Sequence, residues 1–381
     1  MKIRELRLLK HCGRVGVLLL ALCAARSVPV LAQEGGGRDW EPRRTWVFVV
    51  GTLEWKHEEM WNSFPKKNRR DRELVEFFNA QGVPEAQVVY LRDREATERR
   101  IESTLTNHLS RARAGDLLFL YYTGHGYREE ESGDTYLASY DAGDEGVPGW
   151  KVSSIPATIE RHFRGDRAIV VLDNCYSGAL TRAVRSHPGS RVSYAAMTSS
   201  TSDQVSTANW TFTEILLAAL EGKAYVDTNG DGRVTFGELT AEARKDMAFA
   251  EDQRATFAAT GSFGEETVLA LAEQSVDSRI GSRVVVRSEG DWYKGRIIDV
   301  DQDRSLFLIH YYGYDDSFNE WVRSRQIRWP DAERKRRTIE HSGARSSGDG
   351  PSVGPTQLWS PAAAAALRMA RMASGTSVVM W

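Results

Sequence analysis

The strongest constraint on the fold is an alternation of two patterns. Short, continuous apolar runs take turns with segments whose apolar residues recur every three or four positions. Thr45 to Val50, Gln87 to Leu91, Asp116 to Tyr122 and Ala168 to Leu172 are the runs, and their unbroken hydrophobicity predicts strands covered on both faces. Between them, Arg69 to Ala80 carries Leu74, Phe77 and Phe78 on one side, and Thr97 to Ala112 carries Ile101, Leu105 and Leu109 at helical spacing. Val192 to Met197 reads as a fifth strand, Thr211 to Glu221 and Thr235 to Ala250 as helices, and Thr267 to Leu271 as a last short strand. The fold class is therefore α/β, a mostly parallel sheet with helices on both faces. Right-handed crossovers bring the carboxyl ends of its strands to one edge, where open α/β sheets build their sites.

The flanks differ in composition. Lys2, Arg4, Arg7, Lys10 and Arg14 precede the apolar stretch Val15 to Ala25, and Val30-Leu31-Ala32 offers small residues before Gln33, the layout of a secretory signal. That stretch is about half of the ~20 residues that span a bilayer, which disfavours an uncleaved anchor. Leu22 before Cys23 disfavours a lipoprotein. The expected divisions are a signal at 1–32, a linker at 33–44, an α/β domain at 45–275, a second domain at 276–330 and a disordered tail at 331–381. The second domain, Ile280 to Trp329, shows short strands with turns at Glu289-Gly290-Asp291 and Asp301-Gln302-Asp303, a small all-β barrel of SH3-like kind. Export to the periplasm or the extracellular space follows if the signal is used, with no transmembrane segment in the mature chain. The 50 basic and 52 acidic residues nearly cancel, so net charge supplies no reason for nucleic acid as a partner.

With Cys12 and Cys23 inside the signal, the mature chain keeps Cys175 alone, at the end of Val170-Val171-Leu172-Asp173-Asn174-Cys175-Tyr176-Ser177-Gly178. A single thiol forms no internal disulfide, and no Cys-x-x-Cys pair offers a zinc site. His125 ends a similar run, Leu118-Phe119-Leu120-Tyr121-Tyr122-Thr123-Gly124-His125-Gly126. Two strand ends thus present a thiol and an imidazole to one sheet edge, the pair needed for nucleophilic catalysis. The plainer alternative is a buried core cysteine and a satisfied strand-end histidine.

These motifs, with Thr198-Ser199-Ser200 and Asp203-Gln204 after the next strand, resemble the caspase-like cysteine peptidases, nearer to metacaspases and related bacterial enzymes than to animal caspases. The separation of about 50 residues is also that of the caspases. The resemblance covers roughly Thr45 to Ala272 and implies peptide hydrolysis through an acyl-enzyme. Cys175 would be the nucleophile and His125 the general acid and base, with the N–H groups of Gly126 and Cys175 holding the oxyanion. Asp173 matches the acidic position that in metacaspases faces the residue before the cleaved bond, and Asp203 stands where a second pocket residue is expected. Carboxylates there would select Arg or Lys. The competing roles are a helix cap for Asp173 and a plain loop position for Asp203. Arg182, Arg185 and Arg191, after the nucleophile, are candidate self-cleavage sites.

Asp227 to Glu238 fits a twelve-residue EF-hand loop: Asp227, Asn229 and Asp231 at the first three ligand positions, Gly232 at the sixth, the Arg233 carbonyl at the seventh and Glu238 at the twelfth. Calcium, structural or regulatory and not needed for the chemistry, is the expected cofactor. A turn followed by a Thr235–Glu238 capping box is the alternative. In the second domain, Trp292 to Ile297, Ile309 to Tyr314 and Asn319 to Val322 resemble the chromo-barrel or Tudor-knot family. The resemblance implies a cage of Tyr293, Tyr312, Tyr314 and Trp321 around a cation, with a peptide as ligand; the same aromatics could instead be core. The first expectation is an exported cysteine endopeptidase acting on a protein or peptide. A catalytically silent binding protein of the same fold and an intracellular processing peptidase are the alternatives.

Overall fold

In the computed structural model, which describes residues 38–330 apart from 187–188 and 275–276, the alternation becomes a six-stranded sheet followed by a smaller all-β unit. The expected signal at 1–32, the expected linker as far as 37 and the expected tail from 331 lie outside the described residues. The elements run β1 (Thr45–Gly51), α1 (Arg70–Ala80), β2 (Val88–Arg92), α2 (Glu98–Ser110), β3 (Leu117–Thr123), β4 (Gly126–Arg128), β5 (Thr135–Leu137), β6 (Trp150–Lys151), α3 (Ser154–His162), β7 (Arg167–Asp173), α4 (Ala179–Arg185) and β8 (Ser193–Thr198). They continue with α5 (Thr211–Leu220), β9 (Arg233–Thr235), α6 (Phe236–Asp246), β10 (Thr256–Ala259), β11 (Val268–Leu271), β12 (Arg283–Ser288), β13 (Asp291–Asp301), β14 (Leu306–Tyr311), β15 (Glu320–Arg323) and β16 (Ile327–Arg328).

The main sheet has the order β10-β8-β7-β3-β1-β2, parallel except for β10. Successive side chains of a strand point to opposite faces, so each run feeds two cores. Val47, Val49, Phe119 and Tyr121 meet α1 and α5 on one face, whereas Phe48, Val50, Leu118 and Leu120 meet α2, α3 and α4 on the other. Burying each such side chain is worth ~1.5–3 kcal/mol, and helices on both faces are what the continuous runs demand.

One strand differs from expectation. Val268–Leu271 pairs with β9 in a separate two-stranded sheet, and the antiparallel edge of the main sheet is β10 instead. Thr256-Phe257-Ala258-Ala259 is short and half alanine, a residue depleted in strands, and only its pairing with β8 makes it one.

The all-β unit is a five-stranded antiparallel sheet, β15-β14-β13-β12-β16, around Val284, Val286, Ile297, Phe307, Ile309 and Val322. Long β13 changes register between Ile297 and Asp299, an irregularity that bends the sheet over this core. This antiparallel sheet, curled over its core at that irregularity, is compatible with the expected small all-β unit.

Candidate active site

β3 and β7 are neighbours in register, with Thr123 opposite Asp173, and the Thr123 hydroxyl donates to the Asp173 carbonyl at 3.2 Å. Both strands stop there. His125 and Cys175 are equivalent positions, each two residues past a paired end, on strands about 4.8 Å apart. The sequence spacing of the two motifs is thus the register offset of two adjacent strands, and both residues line one cleft of about 420 Å³.

Three features hold Cys175. Its Sγ accepts the Ser206 N–H at 3.1 Å, and the next residue, Tyr176, takes a left-handed φ of 59° while its N–H donates to the Gln204 carbonyl at 2.9 Å. Gly178 is required because a Cβ there would lie 2.5 Å from the Ser202 nitrogen. Burial pushes the thiol above its ordinary value, and the Ser206 N–H opposes part of that shift by favouring the thiolate.

His125 sits between Trp55 and Phe64, with ring centroids 4.5 and 4.4 Å away. Its Nε2 is 2.8 Å from the Asn62 carbonyl oxygen. A carbonyl only accepts, so Nε2 carries the proton and Nδ1 is left as the base. Burial lowers the imidazole below its ordinary value, which keeps it neutral and able to take a proton. Gly126 is dictated by crowding: a Cβ would stand 2.5 Å from the Cys175 carbonyl oxygen and 2.1 Å from Asn174 Nδ2. Only glycine lets the two strand-end backbones approach this closely.

A thiol and a carbonyl-oriented imidazole on adjacent parallel strand ends coincide with a match of the caspase-domain family model to residues 66–264. The chain belongs to the caspase-domain family. A Geobacter sulfurreducens protein of solved structure, GSU0716, is 15% identical to it, with a TM-score of 0.43 over 60% of this chain and 100% of its own. No curated protein is similar enough to the chain to count as a match.

In this caspase domain Asp173 lines the cleft, 7% exposed. Its Oδ2 accepts from the Thr213 hydroxyl at 2.6 Å, and Thr213 in turn contacts the Tyr121 hydroxyl at 2.6 Å. Burial raises the carboxyl to about 6, against the opposing hydrogen bonds of Thr213 and Ser199. It caps no helix: α4 begins at Ala179 after Gly178, with no side-chain cap. Asp203 is not brought to the cleft. It is exposed at the outer bend of the loop after β8 and accepts from Thr201 Oγ1 at 2.7 Å, while its neighbour Gln204 faces inward to Tyr176.

The Asp227–Glu238 segment folds as a tight loop whose oxygens are turned on its own backbone. Asp227 accepts from Gly230, Asp231 and Gly232, Asn229 from Asp231, and Asp231 from Arg233. Glu238 accepts from the N–H groups of Thr228, Asn229 and Thr235, completing the Thr235 capping box. Among the described residues there is no group of three or more Asp, Glu, His or Cys side chains that could hold a metal ion.

The aromatic cage is not assembled. Tyr293 and Tyr314 pack on the core of the β unit, with centroids 6.1 Å apart. Tyr312, on the other face of its strand, is buried against the caspase domain with its hydroxyl 3.0 Å from Asp246, and Trp321 is 44% exposed beside core residue Val322. Strand alternation explains the split, since Tyr311 and Val322 face the core and their neighbours cannot.

Sequence reasoning missed Asn62, Ser206 and Thr213. The first two act through backbone groups, which any residue type supplies, so no motif marks them.

Proposed function

We propose that the chain is a cysteine endopeptidase of metacaspase-like kind, with Cys175 and His125 as its dyad. The carrying observation is the in-register pairing of β3 and β7, with His125 Nε2 committed to Asn62 so that Nδ1 is the free base. Cys175 gives its proton to Nδ1 as sulfur attacks the scissile carbonyl carbon. The N–H groups of Gly126 and Cys175 hold the resulting oxyanion; among the described residues the Cys175 N–H makes no other backbone hydrogen bond. Collapse expels the amine, protonated by His125, and leaves a thioester. Water, deprotonated by the same nitrogen, then releases the acid and restores the thiol. Thiol and imidazole start neutral, because burial raises one and lowers the other, so proton transfer accompanies attack.

Asp173 supports cleavage after Arg or Lys. It is a carboxyl at the cleft with hydroxyl partners and, among the described residues, no cationic one. Export is proposed on residues 1–32 of the sequence alone, and calcium at Asp227, Asn229, Asp231, Arg233 and Glu238 on the spacing alone.

A peptide panel varying the residue before the scissile bond tests the reading, with and without a chelator. Wild type should cleave Arg and Lys peptides, and Cys175→Ala should lose all measurable turnover. Equal activity in that variant would rule out the dyad. Isothermal titration should register calcium uptake that Glu238→Ala abolishes; no heat with the wild-type chain removes the calcium proposal.

A further inference from the structure

The cleft that holds Cys175 and His125 is not made by the caspase domain alone. Gly313, Tyr314 and Asp315, from the turn after β14, line it as well. This turn touches both sides of the cleft. Gly313 has a φ of 80°, and a Cβ there would come within 3.0 Å of Asn209 Oδ1, in the loop whose Ser206 N–H holds the nucleophilic sulfur. On the other side, Asp315 Oδ2 is 2.9 Å from Lys67 Nζ, in the segment that supplies Phe64 and Asn62 to His125. The turn therefore bridges the cysteine-side and histidine-side walls at one end of the cleft.

It is also held rigidly. Asp316 pairs with Arg70 and His310, His310 with Glu214, and Tyr312 with Asp246. Between these anchors the Tyr314 ring is wedged edge-on against Tyr293, Tyr311 and Phe318, with centroids 6.1, 6.3 and 5.3 Å away. Its hydroxyl makes no hydrogen bond to the described residues, although the residue is half-buried. Phe64, Pro65 and Trp210 share the cleft with this ring and form the apolar part of a lining that also carries Asp173, Glu214, Arg70 and Lys67.

We propose that the Gly313–Asp315 turn completes the substrate cleft and that Tyr314 forms a subsite selecting a bulky apolar side chain next to the basic residue of the substrate. The inference rests on the peptidase reading for its consequence in catalysis, but the subsite itself requires only that a peptide bind. An apolar side chain in such a subsite is worth roughly tenfold or more in kcat/KM over a small one.

The test uses the full-length chain and peptides that share an arginine before the scissile bond and carry Gly, Leu or Phe beside it. Cleavage is measured with wild type, and binding of the same peptides to Cys175→Ala by fluorescence anisotropy. Leu and Phe should be favoured over Gly in both. Tyr314→Ala should remove that preference, bringing kcat/KM and affinity for the Leu and Phe peptides down to those of the Gly peptide, and Tyr314→Phe should retain it. Tyr314→Trp, which keeps an aromatic wedge in place if alanine disturbs folding, should shift the preference toward smaller side chains. A preference unaltered in Tyr314→Ala and Tyr314→Trp, or a fall in activity that is equal for every peptide, overturns the subsite while leaving the peptidase standing. Selective binding without cleavage sinks the peptidase and keeps the subsite. Neither binding nor cleavage sinks both.

Discussion

At the scale of single residues, Asp173 carries the sharpest consequence. A carboxyl pushed up to about 6 by burial is largely protonated at pH 5 and ionised at pH 7.5. Its folded value exceeds the ~3.9 of a free aspartate, so its contribution to stability is unpenalised below about pH 4, worsens as pH rises to about 6, and is constant above. A protonated Asp173 cannot form the charge-assisted bond that would distinguish arginine from an uncharged analogue, a bond worth ~1.5–3 kcal/mol, or roughly 10- to 100-fold. The kcat/KM ratio of an Arg peptide over its Gln counterpart should therefore climb between pH 5 and 7.5 with a midpoint near 6. In Asp173→Asn it should be flat and close to one; a ratio that stays high in that variant assigns the selectivity elsewhere. His125 and Cys175 were legible in the sequence because each ends an apolar run, and a strand end is visible as the place where the run gives way to glycine. Their partners were not: Asn62 and Ser206, 63 and 31 residues away in the chain, contribute a carbonyl and an N–H that every amino acid possesses.

Among the elements, α6 shows how one residue can serve two patterns. Glu238 is the last position of a calcium-type loop and the third residue of a helix, and its carboxylate takes the N–H groups of Thr228, Asn229 and Thr235. Thr235 Oγ1 accepts the Glu238 N–H in return, at 3.2 Å. Losing a reciprocal cap costs ~1 kcal/mol, and here the loop preceding the helix is released too. Glu238→Ala should lower the melting temperature by several degrees in the presence of chelator, whereas Glu238→Gln, which keeps an acceptor, should recover part of the loss. An unchanged melting temperature in Glu238→Ala would mean that the box stabilises nothing. The spacing of Asp227 to Glu238 announced the shape of this loop without deciding what fills it, since a carboxylate satisfies N–H groups and cations with the same lone pairs. β10 was illegible for a different reason. Two of its four residues are alanines, and tertiary pairing along β8 outweighs so weak a local preference.

Across the whole molecule, the all-β unit spends its charged residues on docking. Arg283 and Arg296 converge on Asp246, and Arg283 also reaches Glu242. Its sequence read as an independent module because nothing in Arg283, Arg296, His310 or Tyr312 distinguishes a solvent-facing side chain from one aimed at a neighbouring domain. His310 makes the docking testable. Nε2 faces Glu214 of α5 at 3.3 Å, Nδ1 faces Asp316 at 3.3 Å and Asn319 at 3.1 Å, and Arg70 of α1 pairs with the same two carboxylates. Burial alone would lower this imidazole, but Asp316 and Glu214 outweigh it and lift it to about 10. The folded value stands above the ~6.5 of a free histidine, so the stabilisation is fully present below about pH 6.5, declines as pH rises toward 10, and is gone above. The melting temperature of the full chain should fall over that window, and His310→Gln should melt below wild type at pH 7 with the gap closing near pH 10. Titration of other groups is common to both proteins and cancels in the difference. A gap that is constant with pH would mean that His310 is neutral in the folded protein, and the ion cluster that seats the Tyr314 turn over the cleft would then lack its central cation.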